Sequence, residues 1–534
     1  MDTRTKGNEW LSSVLFSSWN GMQMPGLYTV AVCLRARVLS SGRALGRWAG
    51  KVVAAQGFCH CKPGFYGFDC SLVWDQQLNR SQLFWQQHYR TEARVMRPAI
   101  YVYDLPPQHF SWQIARYMGM KGDFGRQIGY AFTDRLMSSA YRTADASEAD
   151  FFFVPCLGSR HHSRPSCMEY LRHHWTYWNA SISPDHIWIG ADDGGSRAYL
   201  HMHDAERADF NKHSIFLQHF GGHYGSERVV SGTFVPGVDI NIPPLEASWV
   251  ANDRYPPASP YFRPNGLPKD DAFEDLSRNY TFFFAGAVIK DPRIRNNVRW
   301  KVYNMSFADP GYVVVNSLEN NLEYPKYLKM LARSKFCLAP AGKGGGWGLR
   351  FVHAVLSGCV PVMSQVDFTE VFQELLPLKR FVVVLDEDTL GDLPAKVAEA
   401  HAQLRHMQVE LQCAWPYLTW SSIYGRYANE SGRMDAFTTV MEILYRRSRG
   451  LGLLHSPCSH GLHQHQKDYL SQLREEAGHT SRTIFKPIAC SVFDCSEEAE
   501  QKPRSAVNWG DLHERWPPGG AACAHRPLDQ RPCI

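Results

Sequence analysis

Apolar and polar residues follow two regular patterns along residues 96–449. Short continuous apolar runs predict strands buried on both faces, which are typical of parallel sheets, and several intervening stretches have the spacing of amphipathic helices. The predicted strands are residues 99–103, 151–155, 186–190, 214–218, 280–284, 312–316, 335–339, 360–363 and 381–385. The predicted helices are residues 126–141 and 168–179. This alternation predicts an α/β fold.

A proline-rich stretch at residues 255–268 divides the α/β region into two. Proline interrupts helices and interior strands, so the stretch indicates a connection between folding units. We predict two Rossmann-like lobes with a cleft between them, residues 96–262 and 273–449, joined by a linker at residues 263–272. The length of 534 residues agrees, because such a chain usually forms about two to four folding units.

The flanking segments have other patterns. Residues 1–54 form an undefined N-terminal segment, residues 72–95 have a polar helical pattern that predicts a connector, and residues 450–534 form a polar tail with several cysteines. We interpret the tail as a small disulfide-braced appendage or a partly disordered extension, because its Cys and His spacing matches no standard zinc site. The apolar residues 27–34 are too few to span a bilayer, so the sequence leaves a membrane anchor undecided.

Three closely spaced cysteines distinguish residues 55–71. Cys59, Cys61 and Cys70 fit the spacing C-x-C-x-x-G-[FYW]-x4-C, and a disulfide can replace a core that is too small to hold itself. The segment resembles the second half of an EGF-like module. That resemblance implies a Cys61–Cys70 bridge and leaves Cys59 to pair upstream, where Cys33 is available. A zinc or thiol cluster is the alternative.

Charge and cysteine content limit the function classes. A net charge of +5 without a long Lys/Arg run argues against a nucleic-acid partner. Fourteen cysteines are typical of an oxidising compartment. N-x-[ST] triplets without proline also predict glycosylation in a lumenal or extracellular setting. These triplets begin at Asn79, Asn179, Asn279, Asn304 and Asn429.

The strongest candidate site is a glycine-rich loop between two predicted strands, residues 335–339 and 360–363. The loop precedes a predicted helix, so its free N–H groups and the positive end of the helix dipole suit a phosphate. Lys343 and Arg350 add positive charge, and His353 shares a helix face with Arg350. We predict a phosphate-binding site formed by Gly342, Lys343, Gly344 and Arg350, with His353 on the same helix face toward the mouth of the loop.

Other phosphate-binding loops do not fit these residues. Gly342, Lys343 and Gly344 do not form the G-K-[ST] of a P-loop, and Trp347 stands where a G-x-G-x-x-G fingerprint requires its last glycine. A glycine-rich turn that serves the fold alone remains the alternative.

Several linked motifs resemble those of the exostosin-type glycosyltransferases, family 47. The run S-K-F-C-L-A-P-A-G, the following L-R-F-V-H-A-V-L-S-G-C-V-P-V, Asp367 and the strand and acidic residues 380–388 are similar to the donor half of that family. Similar first-lobe motifs are Y-V-Y-D-L-P, A-D-F-F-F-V-P, D-H with a later D-G, and V-P-G-V-D-I-N-I-P. The resemblance covers roughly residues 97–445.

The resemblance implies a GT-B fold, with a first lobe for the acceptor and a second for the nucleotide sugar. It also implies transfer of a hexosyl, pentosyl or glucuronosyl group, with inversion, from a UDP-sugar to a glycan hydroxyl. No cofactor or essential metal is implied beyond this co-substrate. The expected location is the Golgi lumen at its membrane, with secretion or the cell surface as the alternative and a partner glycosyltransferase subunit as a possibility.

Two further donor contacts follow from the resemblance. It places a phosphate-facing basic residue shortly after Gly286, where Arg293 and Arg295 stand, although either could be a solvated surface charge. Many family members have Asp or Glu at the position of His353, where it can hold the ribose. A neutral histidine can accept a hydrogen bond, but the difference leaves the donor's identity open.

An inverting transfer needs a base near the acceptor hydroxyl. Candidates at strand ends of the first lobe are Asp104, Asp193, His219 and His223, because strand ends facing the cleft carry the chemistry of such sheets. Asp193 is preferred, since it lies in an acidic, glycine-containing turn directly after a strand. For each candidate a structural hydrogen bond is the alternative.

No metal site is predicted. The adjacent pairs His161-His162 and His173-His174 would point in diverging directions from a helix, which favours solvated surface histidines over metal ligands.

Two functions from different classes remain. The first is a membrane-associated lumenal glycosyltransferase, and the second is a secreted carbohydrate-binding or adhesion protein on the same scaffold without turnover. Lys343, Arg350 and the glycine loop favour catalysis, whereas His353 and the lack of a recognisable anchor fit the second.

Overall fold

The computed structural model describes two α/β lobes and several flanking elements. The described residues are 50–53, 58–61, 65–66, 72–76, 80–83, 96–106, 128–137, 139–156, 163–181, 183–190, 210, 212–226, 232–244, 278–290, 297–320, 322–340, 348–364, 367–385, 389–420, 435–458, 463–468 and 471. Within these ranges, no helix has the length and apolar character needed to cross a bilayer.

Short antiparallel strands precede the first lobe. β1 (Gly50–Val53) pairs with β2 (Phe58–Cys61), and β3 (Phe65–Tyr66), β4 (Leu72–Asp75) and β5 (Arg80–Leu83) form a three-stranded sheet. The predicted Cys61–Cys70 bridge includes Cys70, which lies outside the described residues, so the EGF-like segment stays a prediction.

The prediction of a helical connector at residues 72–95 is wrong for its described residues, 72–76 and 80–83. β4 and β5 form a hairpin in which Leu72 faces Leu83, and these two side chains pack together against Ala144 of the first lobe. Tertiary burial of one apolar face therefore outweighs the helical preference of the polar residues.

The first lobe is built on a six-stranded parallel sheet in the order β11-β10-β9-β8-β6-β7. Its strands are β6 (Ile100–Val102), β7 (Arg142–Thr143), β8 (Phe151–Phe153), β9 (His186–Gly190), β10 (Ser214–Gln218) and β11 (Ile240–Asn241). Its helices are α1 (Ile128–Met137), α2 (Ser163–His174) and α3 (Thr176–Ala180). β9 and β10 are buried along their whole length, as continuous apolar runs predict.

The second lobe is built on a five-stranded parallel sheet in the order β13-β12-β14-β15-β16. Its strands are β12 (Tyr280–Gly286), β13 (Tyr312–Asn316), β14 (Ser334–Leu338), β15 (Val360–Ser364) and β16 (Val383–Leu385). Its helices are α4 (Val298–Tyr303), α5 (Tyr324–Ala332), α6 (Leu349–Leu356), α7 (Leu393–His401), α8 (Leu404–Ala414) and α9 (Ala436–Arg449). Two parallel sheets confirm the predicted GT-B class, while the predicted linker at residues 263–272 lies outside the described residues.

Several predicted boundaries need correction. The helix predicted at residues 168–179 is two helices, because Trp175 between α2 and α3 is extended. The helix predicted at residues 126–141 ends at Met137, and Tyr141 leads directly into β7. Elements that the apolar pattern did not predict include the edge strands β7 and β11 and the helices α7, α8 and α9.

α9 belongs to the second lobe by its position in the sequence, but it also packs against the first lobe. The Phe437 ring lies 5.3 Å from Phe132 of α1, centroid to centroid. Arg447 pairs with Glu374 and donates to the carbonyls of Val238 and Asp239 in the first lobe. One apolar core therefore runs through both lobes.

Three disulfides among the described residues support the predicted oxidising compartment. They are Cys156–Cys167, Cys337–Cys359 and Cys413–Cys458. The last bridge fastens the start of the tail to α8, in agreement with a disulfide-braced tail, and further along the tail His465 is buried between Tyr141 and Glu442.

Candidate active site

The carboxyl ends of the second-lobe strands form the edge where the donor site was predicted. All strands of that sheet are parallel, and ligands of open α/β sheets bind outside the carboxyl ends of the strands. Arg350 lies in the first turn of α6, and the helix ends before Gly358, whose φ of 65° agrees with the glycine stop read from the sequence. The loop residues Gly342, Lys343 and Gly344 lie outside the described residues, so their roles stay predictions.

Arg350 reaches the carboxyl end of β12. Its Nη2 donates to the Ala285 carbonyl at 3.4 Å, and its guanidinium carbon lies 5.7 Å from the centre of the Phe284 ring. A Cβ on Gly286 would lie 2.4 Å from that Nη2. The glycine that ends β12 therefore makes room for the arginine.

A second arginine, Arg299, reaches the same strand end. It lies in the first turn of α4, which begins because the Asn297 side chain accepts from the N–H of Trp300. The Arg299 Nη1 donates to the Ala287 carbonyl at 3.4 Å. Burial and then the charge of Arg350 lower the pKa of Arg299 to about 10, so the Arg299 guanidinium remains charged at neutral pH.

Arg299 was not predicted from the sequence pattern, which indicated Arg293 and Arg295 instead. Both of those residues lie outside the described residues. The signal for Arg299 was present in Asn297, a preferred N-cap residue. A helix that begins there places Arg299 in its first turn, and the structure shows this turn beside the carboxyl end of β12.

The two arginines form a positively charged site with unused hydrogen-bond donors. The Nε atoms of Arg299 and Arg350 are both buried and have no hydrogen-bond partner among the described residues. Two like charges this close repel each other, and an anion with several oxygens would relieve the repulsion and accept from the free donors. A diphosphate has that chemistry.

His353 lies behind Arg350 and is 2% exposed. The Tyr327 hydroxyl is 3.5 Å from its Nδ1. Burial and then the charge of Arg350 lower the pKa of His353 to about 3. The side chain is therefore a neutral polar group beside the arginines, and its contact with a ribose stays a prediction.

Residues 219–226 and 367–370, here called the lobe junction, join the two lobes by backbone hydrogen bonds. The N–H of Thr369 donates to Gly221, and the N–H of His223 donates to Asp367, each at 2.9 Å. A Cβ on Gly221 would lie 1.8 Å from the Thr369 carbonyl oxygen. The two segments are thus in direct contact.

Comparison with known protein families identifies the family of this two-lobed chain. The chain matches the Exostosin GT47 domain over residues 95–400, which is more than half of its length and includes most of both lobes. The chain belongs to the exostosin GT47 family. It is therefore a glycosyltransferase, and its substrates are a nucleotide sugar and a glycan acceptor. A non-catalytic binding protein on the same scaffold is not favoured.

Plant transferases are among the similar proteins. The chain is 25% identical over 374 residues to a probable glucuronoxylan glucuronosyltransferase of Arabidopsis thaliana, covering 65% of this chain and 72% of the relative. It is 27% identical over 384 residues to the probable glucuronosyltransferase Os03g0107900 of rice, with 66% and 82% covered. A second probable glucuronoxylan glucuronosyltransferase of Arabidopsis, IRX7, is 28% identical over 344 residues, with 58% and 69% covered.

The structure separates the base candidates of this GT47 glycosyltransferase. His219 is buried and its Nδ1 lies 3.1 Å from the Ile242 carbonyl, which is a structural contact. Asp104 lies half-buried just beyond the carboxyl end of β6. This is the strand-end position predicted for it, so Asp104 stays a candidate base. Asp193 lies outside the described residues.

His223 lies in the lobe junction. Its Nε2 is 2.9 Å from the Thr369 hydroxyl. Burial lowers its pKa, while the nearby Asp367 carboxylate acts in the opposite direction. The geometry suits a neutral histidine that helps to hold the two lobes of the GT47 fold together.

Backbone strain is concentrated at the same place. Asp367 and Phe372 have positive φ values of 55° and 52°, and the N–H of Phe372 donates to the Asn241 carbonyl of the first lobe at 3.0 Å. Side chains disfavour this conformation, and such residues are often found at functional sites. In this GT47 chain they occur where the lobes meet.

The surface histidines of the GT47 chain lie away from these sites. His173 and His174 are exposed in the last turn of α2, as predicted, and His161 and His162 lie outside the described residues. No group of three or more potential metal ligands occurs in the part of the chain that the structure describes.

Proposed function

We propose that this glycosyltransferase transfers a glucuronosyl group from UDP-glucuronic acid to a hydroxyl of a cell-wall or matrix glycan, with inversion at the anomeric carbon. The observation that carries the proposal is the pair of half-buried arginines, Arg299 and Arg350, at the carboxyl end of β12. The names of the plant relatives support the glucuronosyl group.

The arginines would act most strongly as the sugar–phosphate bond breaks. Negative charge then builds on the leaving diphosphate, and fixed positive groups stabilise that state more than the ground state. Lys343 and the free N–H groups of the glycine loop are predicted to add to this. We propose that these groups replace a divalent cation, so that transfer continues in EDTA.

The acceptor hydroxyl must lose a proton as it attacks. We propose Asp193 as the base, because His223 is hydrogen-bonded to Thr369 and His219 is buried. Replacing Asp193 with Asn should abolish transfer while leaving UDP binding intact. Retained transfer would shift the assignment to Asp104.

Donor binding is the first test. Calorimetry with UDP-glucuronic acid, UDP-galactose, UDP-xylose and UDP is expected to show micromolar binding that is strongest for UDP-glucuronic acid. Arg350→Ala should lose this binding, whereas Arg333→Ala, which removes an exposed arginine at the C-terminal end of α5, should retain it. A folded wild type that binds none of these ligands would refute the proposal.

Product analysis tests the chemistry. Xylo-oligosaccharides are the first acceptors to try, because both Arabidopsis relatives are named for glucuronoxylan. NMR of the product should show the anomeric configuration opposite to that of the donor. Retention of configuration would refute inversion without affecting the donor assignment.

We propose that the enzyme works in the Golgi lumen, attached to the membrane and with or without a partner transferase, although secretion or cell-surface display remains the alternative. Three predicted glycosylation sites support a lumenal setting, because their side chains are exposed. Asn179 lies in the short helix α3 before β9, Asn279 precedes β12, and Asn304 follows α4 before β13. All three lie towards the amino ends of the strands, away from the carboxyl edges, so glycans there would leave the cleft open.

Glycosidase treatment and purification test this setting. Removal of N-glycans should increase the gel mobility of the secretory-pathway protein, and substitution of Asn179, Asn279 and Asn304 together should reduce that shift. Asn79 and Asn429 are further predicted sites outside the described residues. Co-purification of a second transferase with the tagged protein would support the partner subunit.

A further inference from the structure

Tyr224 is an exposed aromatic residue in the lobe junction. Its side chain is 52% exposed. Among the described residues, the other exposed large aromatic side chain is Trp74, at 53%. Trp74 lies on β4, outside both lobes, whereas Tyr224 follows β10 where the first lobe meets the second.

The turn that carries Tyr224 is held by contacts on both sides. The N–H of Tyr224 donates to the Phe234 carbonyl at 2.8 Å, and the Ser226 hydroxyl donates to the Asp367 carboxylate at 2.9 Å. The next residue, Gly225, has a φ of 75°, a conformation that glycine adopts without steric cost, so it serves the backbone of the turn. A ring on a fixed backbone loses little conformational entropy when a ligand covers it.

The same segment reaches the donor site. The His219 carbonyl accepts from the N–H of Gly348 at 3.4 Å, and Gly348 directly precedes α6, which carries Arg350. Residues 219–226 therefore extend from the start of the donor-binding helix to the turn with Tyr224. This stretch follows the carboxyl end of β10, on the sheet edge that faces the cleft.

We propose that Tyr224 binds a sugar ring of the acceptor glycan by stacking. A pyranose ring has a face of C–H groups, and an exposed tyrosine offers a flat apolar face while its hydroxyl stays in water. The assignment rests on the proposed function, because it takes the ligand to be the acceptor of the same reaction. Tyr224 would position the acceptor and would not take part in proton transfer.

The test compares acceptor kinetics in four proteins: the wild type, Tyr224→Ala, Tyr224→Trp and Trp74→Ala. The donor is saturating UDP-glucuronic acid, and the acceptor is the one used fastest from a panel of xylo-, galacto-, gluco- and arabino-oligosaccharides. Loss of a buried aromatic anchor from an interface typically weakens binding substantially, so the acceptor KM of Tyr224→Ala should rise roughly 5- to 30-fold. Tyr224→Trp should stay near the wild type, because it keeps an aromatic face.

The matched control is Trp74→Ala, which removes an equally exposed aromatic side chain and should leave the acceptor KM unchanged. UDP binding should be equal in all four proteins. An acceptor KM of Tyr224→Ala within about twofold of the wild type, or equal changes in Tyr224→Ala and Trp74→Ala, would overturn the proposal. Failure of wild-type UDP binding or transfer would instead refute the proposed function, and the acceptor site with it.

Discussion

Replacement of Arg299 with Met should separate donor binding from folding. Methionine keeps an unbranched apolar chain in the space of the arginine stem but removes the charge and all donors. A hydrogen bond to a charged group contributes about 1.5–3 kcal/mol, so the Kd for UDP should rise roughly 10- to 150-fold. The ligand-free protein should not lose stability, because burial and the charge of Arg350 both disfavour the charged Arg299 and lower its pKa.

Calorimetry measures the Kd for UDP, and thermal unfolding without ligand measures the stability. Arg333→Met is the control, since that arginine is exposed at the far end of α5 and should change neither quantity. The reasoning is refuted if Arg299→Met binds UDP as tightly as the wild type. It is also refuted if the ligand-free variant melts several degrees lower while Arg333→Met does not, because Arg299 would then be a structural residue.

Three smaller changes test the surrounding contacts. Gly286→Ala places a Cβ against the Arg350 guanidinium and should weaken UDP binding about tenfold, a loss of about 1.4 kcal/mol, with the far-UV circular dichroism unchanged. Thr369→Val removes the partner of His223 and should lower the free energy of unfolding by about 1 kcal/mol, whereas Thr369→Ser should not. The pKa of His353 is lowered from 6.5 to about 3. Because the unfolded chain therefore binds a proton that the folded protein does not, the free energy of unfolding should fall as the pH drops below 6.5, by at most about 2 kcal/mol at about pH 5. Denaturant titrations at about pH 7 and pH 5 should show a smaller fall for His353→Gln than for the wild type.

The parts of the fold that the sequence predicts are those with a strong local signal. β9, β10 and β13 have the predicted bounds, because each is a continuous run rich in apolar residues. β7 and β11 each have two residues, too few for any periodicity. They form because a neighbouring strand provides backbone hydrogen-bond partners. That partner is known only from the assembled sheet and cannot be predicted from the two residues themselves.

The candidate site divides in the same way. Arg350 follows a glycine loop and opens a helix, so one local motif predicts its role. Arg299 becomes significant because α4 places it beside Arg350, and no motif joins the two in sequence. His223 meets Thr369 across 146 positions, a pairing that a single sequence cannot show.

The position of α9 has a consequence for how the enzyme folds. Its Phe437 packs on Phe132, and Arg447 bonds to backbone carbonyls of the first lobe. In a fragment beginning at residue 273, the face of α9 that contacts the first lobe would be exposed to water. In a fragment ending at residue 262, the surface of the first lobe that α9 covers would be exposed. The lobes are therefore interdependent, and heating should melt the described core in a single cooperative calorimetric transition.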